Sequence, residues 1–466
     1  MTGAARQYPG LLNSPIVSGP VDTLGVEVGF ERRSMRLLGI FAPWRLQAYG
    51  YTLAAVYALV LIGMYRYGVW LIDKTGAPLP DCDFTYWWVG GTAALHGQAA
   101  SLYDPAQLTA LLKSLVGPHH ANDLFPYQNW PYPPVFLLIL VPLGLLPYLA
   151  AFLIWEALAL AACSLVVYWI VHQSAAFALM LASPFGALDF RWAQTGFLRA
   201  SLLGAALLVL GTRPVLAGVL IGCLVFKPQF GILIPLALIA GKRWRAFAAA
   251  AMTILFLVGL SIVAFGIAPW EAFARGLFAQ ANDILGQGKA SWGTVQTIYG
   301  LIRAFGGGAA LAWIGQGCLT AAVAVLLWLI WRSSARYPLK AAFLSAASLV
   351  ATPYAWSHDL TMLAIPIAFL VKDQIDRGLL RGEQMTLLAL FGLAFAILCH
   401  GGDLPLGPVI TTMLIGLILR RVLRDRTQPG PRLVRAAMSG SSPAADGCKS
   451  YADDCSAGAI GGHFAL

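Results

Sequence analysis

An all-α protein threaded many times through a lipid bilayer is predicted by three features of this sequence. Apolar runs long enough to cross a bilayer, about 20 residues each, recur along the chain. Hydrophobic residues make up 59% of it and charged residues only 11%, against about 25% charged in a soluble domain, so most of the surface must face lipid. The basic residues gather beside the ends of the apolar runs: Arg32, Arg33, Arg36 and Arg45; Lys242, Arg243 and Arg245; Arg332, Arg336 and Lys340; Lys372, Arg377 and Arg381; Arg420, Arg421, Arg424 and Arg426. Cytoplasmic loops of membrane proteins carry this pattern. It also accounts for the net charge of +10 without nucleic acid, whose binders place basic stripes and stacking aromatics on one domain. The 15 Trp and 16 Tyr suit a chain with two headgroup interfaces.

Each element follows in order. Residues 1–47 read as a cytoplasmic tail, and Ala48 to Ile72 as the first span, which starts too far into the chain for a cleaved signal peptide. Residues 73–133 form a loop with Lys74 and Lys113 against Asp73, Asp81, Asp83, Asp104 and Asp123. That inverted balance marks it as extracytoplasmic. Short surface helices are expected within it at Tyr86 to His96 and Pro105 to Val116. Pro134 to Leu146 and Leu149 to Val171 read as a hairpin turning at Pro147. The stretch Ala175 to Gly211 holds two apolar runs interrupted by Asp189, Arg191 and Gln194, and either crosses twice or is re-entrant. Val215 to Ala240 leads to the Lys242 cluster, Phe247 to Ile267 returns, and Pro269 to Gly308 is a second outer loop. Ala309 to Trp331, Ala341 to Tyr354, Leu360 to Val371, Met385 to Leu398 and Leu406 to Leu419 complete a transmembrane domain over 48–426 with roughly 10 to 12 spans. Residues 427–466 are rich in Gly, Ser, Pro and Ala and read as a disordered cytoplasmic tail. No internal repeat of the transporter kind is visible, and Cys82, alone in its loop, argues against a disulfide framework.

With few charges in the chain, each one inside an apolar run is informative. Lys227 falls near the middle of its span, where a Lys costs roughly 2.5–3.5 kcal/mol. It must face a cavity, a bound phosphate or a partner such as Glu156. Asp189 and Arg191 read as an ion pair or as part of a site. His358 and Asp359 sit where a span meets the outer face, as a helix-end contact or a catalytic pair. The first outer loop is the richest stretch, with Asp81, Asp83, Tyr86, Trp87, Trp88, His96, Tyr103 and Asp104 close together. Aromatic rings stack on sugar faces while a carboxylate takes a hydroxyl proton, although an interfacial aromatic belt has the same composition. His119, His120 and Asp123 resemble a metal cluster only loosely and read as a solvated loop, since no fourth ligand is spaced for them. No cofactor is expected, with a divalent metal left open.

The loop stretch DFTYWWVGGTAALHG from Asp83 to Gly97, running on to LYDP from Leu102, resembles the first-loop signature of glycosyltransferase family 87. Further stretches fit in order: YPPV from Tyr132, AQTG from Ala193, RPVLAG from Arg213 running to FKPQ from Phe226, and TPYAWSHD from Thr352. The resemblance implies a membrane-embedded GT-C fold, a polyprenyl-phosphate sugar donor (mannose or another hexose) and a lipid or glycan acceptor at the extracytoplasmic face of the plasma membrane. It implies Asp83 as general base; Asp81, two residues earlier, does not match the family position and reads as a supporting group or a bystander. Lys227, His358, Gln194, Trp87, Trp88 and Tyr132 become candidate substrate contacts, with Arg191 and Asp359 supporting. One departure is Ala193, where the family pattern has Gly before the Gln. The competing class is a transporter or lipid flippase with a midplane polar site built on Lys227, Glu156 and Arg191.

The orientation is testable. In a cysteine-free background, a cysteine at Thr109 should react with an impermeant thiol reagent added from outside, and one at Ser334 should not. The opposite labelling pattern would invert the topology.

Overall fold

The structure, a computed structural model, describes residues 47–60, 62–63, 83–116, 130–288 and 291–427. Both tails, Asp81, Cys82, His119, His120 and Asp123 lie outside these residues. The described chain is helical throughout, with one isolated antiparallel bridge, Val295 to Trp356, as its β feature. In chain order the helices are α1 (47–60), α2 (Phe84–Leu95), α3 (Pro105–Val116), α4 (Leu137–Gly144), α5 (Tyr148–Val171), α6 (Ala175–Leu181), α7 (Pro184–Trp192), α8 (Gly196–Val209) and α9 (Pro214–Gly222). There follow α10 (Ile234–Ala240), α11 (Trp244–Phe265), α12 (Ala268–Ala281), α13 (Ile298–Ala304), α14 (Ala309–Arg332), α15 (Tyr337–Val350), α16 (Ala364–Arg377), α17 (Glu383–Cys399) and α18 (Gly407–Thr427).

By length and composition α5, α11 and α14 can each cross a membrane in one piece, having 24, 22 and 24 residues. At 1.5 Å per residue each is longer than a hydrocarbon core of about 30 Å. Their outer faces are apolar and unpartnered: Val263 on α11 is 85% exposed, which is the condition of a side chain facing lipid. The remaining apolar segments are shorter and broken. The single span expected over Val215 to Ala240 is two segments, Pro214–Phe226 and Pro228–Ala240. The break has a local cause: the ring of Pro228 pushes Lys227 out of the helical region, to φ −135° and ψ 72°. Irregular backbone of this kind persists at depth only where protein or a polar cavity meets its exposed groups.

The open question over Ala175 to Gly211 resolves into a helical hairpin. α6 and α7 run one way, the chain turns at Ala193 to Thr195, and α8 returns. The turn touches Asp83, whose backbone N–H donates to the Trp192 carbonyl over 3.2 Å. The far end of α8 meets α15, where the Tyr337 hydroxyl donates to the Leu207 carbonyl. The hairpin therefore reaches from the Asp83 end of the bundle to the basic end.

The main core joins α5 to α11 and α14 to α18 in one apolar cluster. A second cluster is aromatic and seats α2: Phe84, Trp87, Trp130, Tyr132, Phe136 and Phe226 pack together with α4 and α5. Two glycines make that seating possible. A Cβ on Gly91 would lie 2.3 Å from the Leu140 carbonyl oxygen, and one on Gly144 would lie 2.6 Å from the Gly91 carbonyl carbon, so α2 and α4 touch backbone to backbone. Asp83, the residue preceding α2, is fixed by this contact.

At the basic end a buried ion network ties α16, α17 and α18 together. Arg421 reaches Asp373 and Glu383 over 2.6 Å each, and Arg336 reaches Asp373 over 2.6 Å and Asp425 over 3.0 Å. Removing one partner of a buried pair leaves an uncompensated charge and costs about 3–5 kcal/mol. Arg421→Ala should therefore lower thermal stability in detergent by about that amount. Lys372→Ala, which breaks only the exposed Lys372–Asp376 pair, should cost under about 0.5 kcal/mol.

Candidate active site

The site is built where three backbone irregularities meet: the α7–α8 turn, the break at Lys227 and the turn before Ser357. Ala193 begins the first. It closes α7 in the left-handed region, φ 50° and ψ 46°, fully buried. Left-handed backbone suits Gly, and a Cβ there costs about 1–2 kcal/mol. Gly would adopt this conformation without that cost. Beyond the turn Asp189 caps α8, its carboxylate accepting from the N–H groups of Gly196 (2.8 Å) and Phe197 (2.9 Å). Gly196 is obligatory, since a Cβ would lie 2.4 Å from Asp189 Oδ1 and 2.8 Å from the His358 carbonyl oxygen.

This turn aims Gln194 at Asp83. Gln194 Nε2 donates to Asp83 Oδ2 over 2.5 Å, while its Oε1 accepts from the Tyr132 hydroxyl and the Thr195 N–H at 3.4 Å each. Asp83 is half-buried. Burial pushes its carboxyl above the usual carboxylate range, against the opposing effects of the Gln194 bond and the nearby Lys227 ammonium.

Lys227 does not pair with Glu156. Its Nζ lies 3.3 Å from Asp359 Oδ1 and 5.6 Å from the centre of the Tyr132 ring. The same Asp359 oxygen takes Arg199 NH2 at 2.5 Å and lies 3.5 Å from His358 Nε2. Asp359 Oδ2 accepts from the Trp356 N–H over 2.8 Å, closing the cap of its own helical turn. Arg199 is completely buried and fully engaged: Nε bonds Thr195, NH1 meets Met362 sulfur at 3.3 Å, and the guanidinium lies 4.6 Å from the Phe230 ring centre. Lys227 has one carboxylate contact and His358 Nε2 has no hydrogen-bond partner. Those two groups retain donor capacity. The cluster thus sets the Arg199 guanidinium and the Lys227 amine against Asp359, with Lys227 also near Asp83.

The sequence profile of glycosyltransferase family 87 matches residues 130–366, just over half of the chain. The chain belongs to glycosyltransferase family 87. It is a membrane glycosyltransferase, in keeping with its apolar helices. No curated protein and no solved structure matches it significantly. The matched region contains Gln194, Lys227, His358 and Asp359, and begins after Asp83.

Of the residues singled out in the sequence, the structure of this family 87 member brings Asp83, Gln194, Tyr132, Lys227, His358 and Asp359 together. Others lie elsewhere. The Trp87 ring is 1% exposed, packed 5.1 Å from Trp155 and 5.6 Å from Phe136, so it is core rather than a sugar platform. Trp88 donates its indole N–H to the Leu146 carbonyl over 2.9 Å and packs on Tyr148. Arg191 is not paired with Asp189, which caps α8 instead; its guanidinium lies 5.3 Å from the Trp192 ring. Asp81 lies outside the described residues. Sequence reasoning missed Arg199, though an Arg within the apolar run of α8 was a visible signal of a buried ion pair.

The backbone strain at Ala193 gives a direct test. Ala193→Gly should keep stability within about 1 kcal/mol, since relief of the left-handed penalty and the entropy cost of Gly nearly cancel. Ala193→Val, β-branched and buried in that conformation, should lower it by at least about 2 kcal/mol. Thermal unfolding of the two purified variants in one detergent checks this.

Proposed function

We propose that this enzyme transfers a hexose, mannose before others, from a polyprenyl phosphate to a hydroxyl of a lipid or glycan acceptor, inverting the anomeric carbon. The active site would open to the extracytoplasmic side of the plasma membrane in a GT-C-like cavity, with both tails cytoplasmic. One observation carries the reading: Gln194 holds the Asp83 carboxylate beside the Lys227–His358–Asp359 cluster, so a proton acceptor and an anion-holding group share one site. The sidedness is supported by the separation of that site from the basic clusters, which sit at the far ends of α8 and α15.

The chemistry balances on these residues. Asp83 takes the acceptor's hydroxyl proton as the acceptor oxygen bonds the anomeric carbon. The bond from that carbon to the phosphate oxygen breaks on the opposite face, and its electron pair leaves with the phosphate. The lipid phosphate changes from a monoanionic diester to a dianionic monoester. Lys227 and His358 stand where fixed cationic or N–H groups would stabilise that added charge. A transporter reading leaned on Lys227, Glu156 and Arg191 as one midplane site. The three are set apart: Lys227 lies against Asp359 rather than Glu156, and Arg191 lies on Trp192.

Asp83→Asn is nearly isosteric and cannot accept the proton. Turnover of polyprenyl-phosphate hexose should fall by about 10²–10⁴-fold with donor binding retained. In the wild type, activity should rise with pH through a value above the ordinary carboxylate pKa of about 4, because burial raises the Asp83 carboxyl and only its ionised form is a base. Lys227→Gln should instead weaken donor binding. Near-normal turnover in Asp83→Asn would refute the mechanism, and unchanged donor affinity in a folded Lys227→Gln variant would remove that residue from the phosphate.

A further inference from the structure

The reaction site occupies one end of the bundle. A separate cavity of about 150 Å³ lies at the other, lined by Gly241, Arg243, Trp331, Ala335, Tyr337 and Lys340. Two of these residues bring positive charge and none brings a carboxylate. That sets the cavity apart from its surroundings. Arg336 is matched by Asp373 and Asp425, Arg421 by Asp373 and Glu383, and Lys372 by Asp376. Among the described residues, neither Arg243 nor Lys340 pairs with a carboxylate. Lys340 Nζ meets only neutral acceptors, the carbonyls of Ser333 at 2.7 Å and Trp331 at 3.4 Å, and the two cations repel one another.

The walls are rigid and polarised. A Cβ on Gly241 would lie 2.7 Å from the Trp331 ring, so the chain turn and the indole are in contact. The Trp331 N–H donates to the Lys340 carbonyl over 3.2 Å. Two helices also start at the cavity. α11 begins directly after Arg243, and α15 begins at Tyr337. The first-turn N–H groups of α11 carry the positive end of its helix dipole; at α15 Pro338 has no N–H, the Leu339 and Lys340 N–H groups donate to the Arg336 carbonyl, and Asp425 accepts from the Arg336 N–H. Two lining cations without a carboxylate partner among the described residues, beside the start of α11, form a site for an anion.

We propose that this cavity binds a phosphate group at the basic end of the protein, supplied by the headgroup of an anionic lipid or by free phosphate. Basic pockets between membrane helices on the cytoplasmic side recognise such headgroups. Trp244, 57% exposed at the start of α11, places an interfacial aromatic next to the cavity. Arg243 supplies a planar donor fork, which matches phosphate oxygens two at a time, and Lys340 a point charge. The binding is independent of the sugar-transfer reading, because Asp83 and Arg243 lie at opposite ends of the bundle.

The test uses the full chain in neutral detergent, titrated with short-chain phosphatidic acid, with diacylglycerol of the same chains, and with inorganic phosphate. Wild type should bind phosphatidic acid saturably and diacylglycerol not at all. Arg243→Gln, whose side chain holds nothing else in place, should weaken that binding by about tenfold or more, the loss of one charge-assisted contact. Arg245→Gln removes an equal charge from an exposed neighbour and should change it by less than about threefold. Lys340→Gln should weaken binding too, and because Lys340 also ties two carbonyls, the Arg243 variant is the deciding one. Displacement of phosphatidic acid by millimolar inorganic phosphate would identify a free anion as a ligand; failure to displace it would assign the cavity to a lipid headgroup. Absence of saturable binding, or equal weakening by Arg245→Gln, would overturn the site in favour of diffuse surface attraction. Sugar transfer by Arg243→Gln in the same detergent should match wild type, so the outcome is separable from that of Asp83→Asn.

Discussion

The buried carboxylate of Asp359 is the point on which the functional end of the bundle converges. Desolvating an ion costs several kcal/mol even after relaxation, and only good geometry with satisfied lone pairs offsets it. Asp359 meets that requirement by drawing on separate parts of the chain: Arg199 from α8, Lys227 from the break between α9 and α10, and the Trp356 N–H from its own turn. Each partner arrives on backbone that departs from regular helix or lies next to such a departure. The break at Lys227 leaves polar groups exposed at depth, and the ion cluster is the polar surrounding that lets them persist. Loss of Arg199 would strand Asp359 with fewer counter-charges. Loss of Asp359 would strand Arg199, which is 0% exposed.

Asp83 depends on the same cluster at one remove. It precedes α2, whose position is set by the Gly91–Gly144 contact and the aromatic packing of Trp87, Phe136 and Trp155. Its carboxylate is met by a neutral amide, Gln194, rather than by a guanidinium. Gln194 in turn is aimed by the left-handed turn at Ala193 and by the Asp189 cap of α8. A chain of short-range constraints therefore links Gly196, Asp189, Ala193 and Gln194 to the Asp83 carboxylate, and a change to any of them moves it.

The all-helical fold, the long apolar helices α5, α11 and α14 and the basic clusters were legible in the sequence because they are local patterns of hydropathy and charge. The break in the span over Val215 to Ala240 was written in the chain as Pro228, but its apolar flanks average it away and leave one long run. Pairings were not legible. Lys227 and Asp359 are 132 positions apart and Arg199 and Asp359 are 160 apart, and nothing in either neighbourhood names the other. Glu156 was an equally plausible mate for Lys227 by depth alone. Trp87 and Trp88 show a further limit. Residue type marked them as ring platforms, but which way a ring faces depends on where α2 packs: the Trp87 ring is buried in the aromatic cluster, and the part-buried Trp88 bonds the Leu146 carbonyl. Ala193 is the opposite case. A departure visible in the sequence marked the position where the backbone proves to be left-handed.

The two carboxylates near Lys227 have been set to different tasks by their partners. Asp359 faces the Arg199 guanidinium and the Lys227 amine and is held as their counter-ion. Asp83 faces an uncharged amide in a desolvated setting, which leaves it disposed to take a proton. Environments that push two acids apart in this way are how one site keeps one group ionised and makes the other a base. In the proposed transfer the acceptor's proton neutralises Asp83 while the departing phosphate gains one negative charge, so the total charge of the site is unchanged and only its position moves. Lys227 lies within electrostatic range of both carboxylates and holds N–H donors that Asp359 does not use. As Asp83 loses its charge its repulsion of the departing phosphate falls, and the attraction of Lys227 for that phosphate grows with the phosphate's added charge. In the proposed transfer Lys227 would favour the transition state over the bound donor, which is the differential that catalysis requires.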